Sequence, residues 1–231
     1  VASNGQVIAN GTNPTYSFTP NDNGTYTVTL TVTDDDGGTA TDSKVINVTN
    51  VAPVITDVKV NGQTSVTINE DGSVTVTGSF TDAGTVEVPT VTIDWGNGDT
   101  SPASVVGGSG SWTFTATYQY LDDNPTGTPS DTYTLTVTVA DNDGGVATYS
   151  SLSVTVDNVL PTAVINEDPG SSPEGSVINL TSTVTDTGTE DEHTYLWQVV
   201  ASNGQVIANG TGMAYSFTPN DNGTYTVTLT V

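Results

Sequence analysis

The feature that most constrains this chain is a long-range duplication. Residues 1–32 recur as residues 200–231, and only Asn13, Pro14 and Thr15 differ, becoming Gly212, Met213 and Ala214. A register of 199 residues is too long for one small domain, so the repeating unit holds more than one. A weaker repeat lies inside that unit. Thr25–Val32 leads to Asp34, Asp35, Asp36, Gly37 and Gly38, and later to Asn50, Val51, Ala52 and Pro53. Thr132–Val139, 107 residues on, leads in the same way to Asp141, Asn142, Asp143, Gly144 and Gly145, and then to Asn158, Val159, Leu160 and Pro161. Two domain types therefore alternate, with Asn-Val-x-Pro steps as boundaries. The expected division is the rear part of a truncated domain over 1–52, one complete domain over 53–158 and the front part of the next over 159–231. Both ends fall in or beside strands, where a natural terminus would leave ladder groups unpaired, so the sequence is expected to continue in both directions.

Apolar residues alternate with polar ones in Tyr26, Val28, Leu30, Val32, in Trp112, Phe114, Ala116, Tyr118, Tyr120, and in Tyr133, Leu135, Val137, Val139. A period of two marks strands that bury one face. Steps at Asn23, Asp36, Asn61, Asp71, Gly107 and Asn124 supply the turn residues that tight connections need. No segment has helical periodicity. The hydrophobic fraction is only 34%, which suits several thin cores, because half of each strand stays polar. The expected fold class is all-β: tandem sandwiches of roughly 100 residues each in an elongated array.

Charge narrows the function. There are 26 acidic residues against two basic ones, Lys44 and Lys59, for a net charge of −24. Phosphate neutralisation needs clustered Lys and Arg, so no nucleic-acid partner is expected. Anionic membrane surfaces are disfavoured by the same argument, and no apolar run is long enough for membrane insertion in this segment. Cysteine is absent, which removes disulfides and thiolate chemistry. His193 is the only histidine; it reads as a surface residue and offers neither a zinc site nor a Ser-His-acid set, so no enzyme is expected.

Thr92, Ile93, Asp94, Trp95, Gly96, Asn97, Gly98 and Asp99 form a strand-and-turn signature, joined by the Tyr-x-Val-x-Leu-x-Val strand and the acidic Gly-Gly turn after it. On these residues the chain resembles the polycystic-kidney-disease-type (PKD) domains found in tandem on bacterial and archaeal surface proteins. In the alternate domain type, Tyr195, Leu196 and Trp197 keep the tryptophan, while Gln198 and Val199 replace the glycine turn. The resemblance implies immunoglobulin-like sandwiches and an extracellular or cell-surface location; some members of that family bind calcium. Trp95 and Trp197 are expected to fill the space between sheets, and Tyr26, Tyr133 and Tyr225 to form tyrosine corners.

The acids should converge. In such a sandwich Asp82, Asp141 and Asp143 share one end beside Asn50, and the matching set is Asp34, Asp35, Asp36, Asp186, Glu190 and Asp191 beside Asp157 and Asn158. Gathered carboxylates repel and raise one another's pKa unless a cation intervenes, and Ca2+ takes six to eight hard oxygens. Calcium is thus the expected cofactor and these acids its expected ligands. The plain alternative is a set of solvated turns, which Asp and Gly favour in any case. The opposite ends carry a sparser set: Glu70, Asp71, Asp99, Asp122, Asp123, Glu167 and Asp168. The expected function is a segment of a giant tandem stalk, fibre or sheath stiffened by calcium at domain junctions. Its partners are neighbouring copies of the same repeat, along the chain and laterally; the alternative is an adhesin that contacts glycans or a partner protein.

Overall fold

A computed structural model describes residues 1–124, 126–167 and 169–231. Pro125 of the Asn124 turn and Asp168 of the sparser acidic set lie outside them. Among the described residues the chain is strand and turn without helix, and they gather into two compact units. The first comprises Val1–Thr67, Ser73–Tyr118 and Thr132–Thr155; the second comprises Ile68–Gly72, Gln119–Asp131 and Val156–Val231.

The first strands, β1 (Gly24–Thr33) and β2 (Thr39–Val48), form an antiparallel ladder from Gly24↔Val48 to Thr33↔Thr39. Nine strands follow: β3 (Val54–Val60), β4 (Ser65–Asn69), β5 (Gly72–Thr81), β6 (Thr90–Asp94), β7 (Thr100–Pro102), β8 (Ser104–Gly108), β9 (Ser111–Tyr120), β10 (Ser130–Ala140) and β11 (Val146–Asp157). They make one sheet in the order β3-β5-β9-β8 and another in the order β4-β11-β10-β6-β7. Strands one, two, five and four of an immunoglobulin sandwich form one sheet, and strands three, six and seven the other. The order here is that one, with β4 and β7 as added edges.

Alternation explains which faces meet. Along β10, Tyr133, Leu135, Val137 and Val139 are buried and the threonines between them are not. Val74, Val76 and Phe80 do the same on β5. The apolar phase of β5 is interrupted at Gly78, because the Phe114 ring and the Asp57 carbonyl fill the place its Cβ would take. Trp95 is wholly buried; its indole N–H donates to Ser101 Oγ over 2.9 Å, and its ring stacks on Tyr118 at 5.0 Å. The β8–β9 turn is not at Gly107. It is at Ser109 and Gly110, whose positive φ values of 55° and 85° suit a two-residue hairpin, while Gly107 lies within β8, pressed against the Trp112 backbone.

The remaining strands are β12 (Thr162–Asn166), β13 (Ile178–Thr185), β14 (Leu196–Ala201), β15 (Ala214–Phe217) and β16 (Tyr225–Thr230). They form sheets β12-β13-β15 and β14-β16 around Leu180, Trp197 and Phe217, with Ile165, Val199 and Leu229 packed against them. The Trp197 indole donates to the Gly212 carbonyl at 2.8 Å. Both copies of the duplicated segment build the same corner. Tyr26 Oη donates to Asp22 O over 2.8 Å and Tyr225 Oη to Asp221 O over 2.9 Å, while Asn4 and Asn203 each donate an amide N–H to the same phenol oxygen. Tyr133 is buried at the start of β10.

Candidate metal centre

The tyrosine corner at Tyr26 fixes the loop that carries Asp22. That loop meets the β5–β6 loop, where the Thr85 N–H donates to Asn21 O over 2.9 Å. The β5–β6 loop is held in turn by the β10–β11 turn, through the Val88 N–H and Asn142 Oδ1 at 2.9 Å. Together these bonds bring Asp22, Glu87 and Asp143 to one place, each offering a carboxylate oxygen within 4.8 Å of the others.

Burial sets the chemistry of the group. Glu87 is only 7% exposed, and neither of its oxygens has a hydrogen-bond donor. Asp82 stands near it, with Oδ1 accepting the Gly84 N–H at 3.1 Å and Oδ2 buried without a partner. No lysine serves the cluster, since Lys44 pairs with Asp42 at 3.1 Å and Lys59 with Asp57 at 3.6 Å. Burial, followed by the charges of Asp22, Asp82 and Asp143, pushes Glu87 up to about 7. Burial also raises Asp82, against the opposing Gly84 N–H. A side chain at Gly84 would collide with Glu87 Oε1, so the glycine leaves the room the carboxylate occupies.

Only hard oxygens are present. Oxygens lying within 4.8 Å of one another can all reach one Ca2+ ion at about 2.4 Å each, and carboxylates are the ligands this ion takes. The set fits calcium, and with no nitrogen or sulfur donor in it, it does not suit zinc.

The expected site residues have different surroundings. Asp143 is in the cluster and Asp82 beside it. Asp141 is close by but already engaged: Oδ1 accepts the N–H groups of Asp143 and Gly145 at 2.9 and 2.7 Å, and Oδ2 accepts Asn50 Nδ2 at 2.8 Å. Burial pushes Asp141 up, but Asn50 and these N–H groups outweigh it and hold the carboxyl below its ordinary value. Asp34 makes the same turn in exposed form, accepting from Asp36 and Gly38 at 3.2 and 2.6 Å, and Asp35 and Asp36 are exposed beside it. Asp157 is half-buried at the end of β11, with its carbonyl taken by the Glu70 N–H. Asp186 Oδ2 lies 2.8 Å from His193 Nε2; His193 is therefore a partly buried hydrogen-bond partner and not a plain surface residue. Glu190 accepts Asn124 Nδ2 at 3.0 Å. Asp191 joins a second group with Glu70, Asp122 and Asp123.

Asp22 and Glu87 are absent from the expected ligands, yet one signal for Glu87 is in the sequence. Asp82, Gly84, Thr85 and Glu87 recur at the same spacing as Asp186, Gly188, Thr189 and Asp191. Both loops thus carry Thr-Asp-x-Gly-Thr-x-acid, and in each the last acid enters a carboxylate cluster. Asp22 has no comparable signal, because its role depends on where the preceding loop lands.

Strand order and site together define an immunoglobulin-like β-sandwich protein with an acidic oxygen-donor cluster. No family model and no curated relative matches the sequence. Among solved structures, the fibronectin(III)-like modules of Clostridium thermocellum CbhA superpose with a TM-score of 0.29 at 14% identity, covering 75% of this chain and 92% of that one. BcpA, the major pilin subunit of Bacillus cereus, gives 0.30 at 14% identity, covering 88% and 66%. The chicken CNTN1 FN1-FN3 domains give 0.25 at 13%, covering 90% and 70%. It is the strand order, and not these distant superpositions, that defines the class.

Proposed function

We propose that this chain is a segment of an extracellular structural array. In this reading, PKD-type sandwiches divided at 1–52, 53–158 and 159–231 serve as spacers in a stalk, fibre or sheath and carry no catalytic activity. The observation that carries the reading is the origin of the three acids. Asp22 precedes β1 and β2, whereas Glu87 and Asp143 come from loops of the sandwich that begins at β3. A Ca2+ ion held by all three ties residues on both sides of the β2–β3 linker, reinforcing a connection that the Thr85–Asn21 and Asn50–Asp141 hydrogen bonds already hold. It also supplies the positive charge that Glu87 lacks. The near-identity of residues 1–32 and 200–231 supports spacing over a single specialised site, because every copy presents the same surface.

The test is small-angle scattering of the whole chain with calcium and with chelator. A longer and better-defined maximum dimension in calcium is expected, and Glu87→Gln should remove the difference. Identical curves in both buffers, with no calcium uptake, would leave an acidic spacer without a cation.

A further inference from the structure

We infer that the chain holds a second Ca2+ site, built from Glu70, Asp122, Asp123 and Asp191 with the side-chain oxygen of Asn158. It goes beyond the reading above and shares no ligand with the Glu87 cluster. Its residues come from four connections: Glu70 from the β4–β5 turn, Asp122 and Asp123 from the segment after β9, Asn158 from the segment after β11, and Asp191 from the β13–β14 loop. All lie in the second compact unit. The four acids each present an oxygen within 4.8 Å of the others.

Unpartnered buried oxygens, more than the acids themselves, point to a ligand. Glu70 is 2% exposed; its Oε1 accepts the Val159 N–H at 2.8 Å, and its Oε2 is buried with no donor. Asp123 is 6% exposed, and its Oδ2 is likewise unpartnered. Asn158 Oδ1 is a third such oxygen. A Cβ at Gly188 would collide with Asp191 Oδ2 and stand 2.7 Å from Glu70 Oε2. Those two oxygens, from segments far apart in sequence, therefore face one point.

Leaving a buried carboxylate uncompensated costs several kcal/mol, and this unit has no internal remedy. Lys44 and Lys59, the only basic residues besides His193, belong to the first unit, and His193 is occupied by Asp186. The balancing charge has to come from solution. An all-oxygen set calls for a hard ion. Four carboxylates and an amide on irregular loops suit the six to eight ligands of Ca2+ better than the strict octahedron of Mg2+. A cleft of about 510 Å³ lined by Asp122, Asp123, Asn158 and Asp191 leaves room for waters to complete the shell.

The test is calorimetric titration of the whole chain with CaCl2, against Glu70→Gln, Asp191→Asn and Glu87→Gln. Two sites are expected in the parent protein. Glu70→Gln and Asp191→Asn should each weaken one of them at least tenfold and leave the other, while Glu87→Gln does the reverse. A tenfold excess of MgCl2 should not displace the calcium. Folding is controlled by melting in chelator, where Glu70→Gln removes a repelled charge and should melt no lower than the parent while losing its share of the calcium-induced rise. Unchanged stoichiometry and affinity in both Glu70→Gln and Asp191→Asn would overturn this site, and the Glu87 site would stand if only Glu87→Gln lost an ion. An ion lost in Glu70→Gln but retained in Glu87→Gln would support this site and sink the other. Equal displacement by MgCl2 would overturn the assignment to calcium.

Discussion

The Val159 N–H donates to Glu70 Oε1 over 2.8 Å, joining residues 89 positions apart. The bond fastens the segment after β11 to the turn after β4. It engages one carboxylate oxygen and leaves the other buried without a donor. The equivalent Asn-Val-x-Pro step earlier in the chain is fastened through its other residue, Asn50, whose amide donates to Asp141 Oδ2 at 2.8 Å. Each step is thus pinned to an acid beside a carboxylate cluster. A cation bound there acts on a connection that already has a defined path.

Calcium should raise the melting temperature of the whole chain, because it binds the folded arrangement and not the unfolded one. At a hundredfold excess over the dissociation constant the linkage is worth about 2.7 kcal/mol per site. Glu87→Gln and Asp143→Asn should each remove the share of the first cluster while melting no lower than the parent in chelator, because each deletes a charge repelled by its neighbours. Scanning calorimetry in calcium and in chelator checks this.

In chelator the pH response should have a defined sign. Glu87 in the folded chain titrates at about 7, raised from 4.5 by burial and by neighbouring acids. A folded-state value above the unfolded one means that the folded chain binds the extra proton. Its stabilising contribution is therefore full below pH 4.5 and is lost as pH rises through about 7. Acidification from pH 7.5 towards 5 should raise the melting temperature in chelator, and Glu87→Gln should flatten that rise. A melting temperature that falls steadily over this interval would contradict the burial of Glu87.

Trp95→Ala should cost about 3 to 5 kcal/mol, the usual loss for a large buried aromatic. It also strands the Ser101 hydroxyl and removes the stacking partner of Tyr118. Urea denaturation followed by circular dichroism measures the loss. The transition of the sheets around Trp197 should be largely preserved.

Gly188→Ala tests the second cluster without deleting a charge. Gly188 does not have positive φ, so alanine is tolerated by the backbone. The atoms nearest the new methyl are the carboxylate ends of Asp191 and Glu70, which can swing aside in the absence of an ion. Melting in chelator should therefore be close to that of the parent, whereas calcium affinity at this cluster should fall several-fold by titration. An equal loss of stability in both buffers would show that the glycine serves packing instead.

Much of the fold was legible because a half-buried strand writes its geometry into every second residue. The alternation in β9 and β10, and the burial of Trp95 and Trp197, follow from side chains that can only point up or down. Composition likewise established that the chain lacks the cations to neutralise its own acids. Which acids meet was not legible. Asp141 reads as a ligand, but that its oxygens accept from its own turn and from Asn50 is seen only in three dimensions. Glu87, with no acidic neighbour in sequence, receives Asp22 and Asp143 through loop contacts set by sheet order. The duplicated strand makes the same point. Tyr26–Thr31 and Tyr225–Thr230 are identical in sequence. Ala2 bridges Tyr26 as Ala201 pairs with Tyr225, so both copies keep one edge contact, while β2, unlike the strand in sequence, lies along the other edge of the first copy. A strand carries hydrogen-bonding groups on both edges, so its residues fix that it is a strand and which face is buried. Only the surrounding chain decides which edge is filled, and by whom.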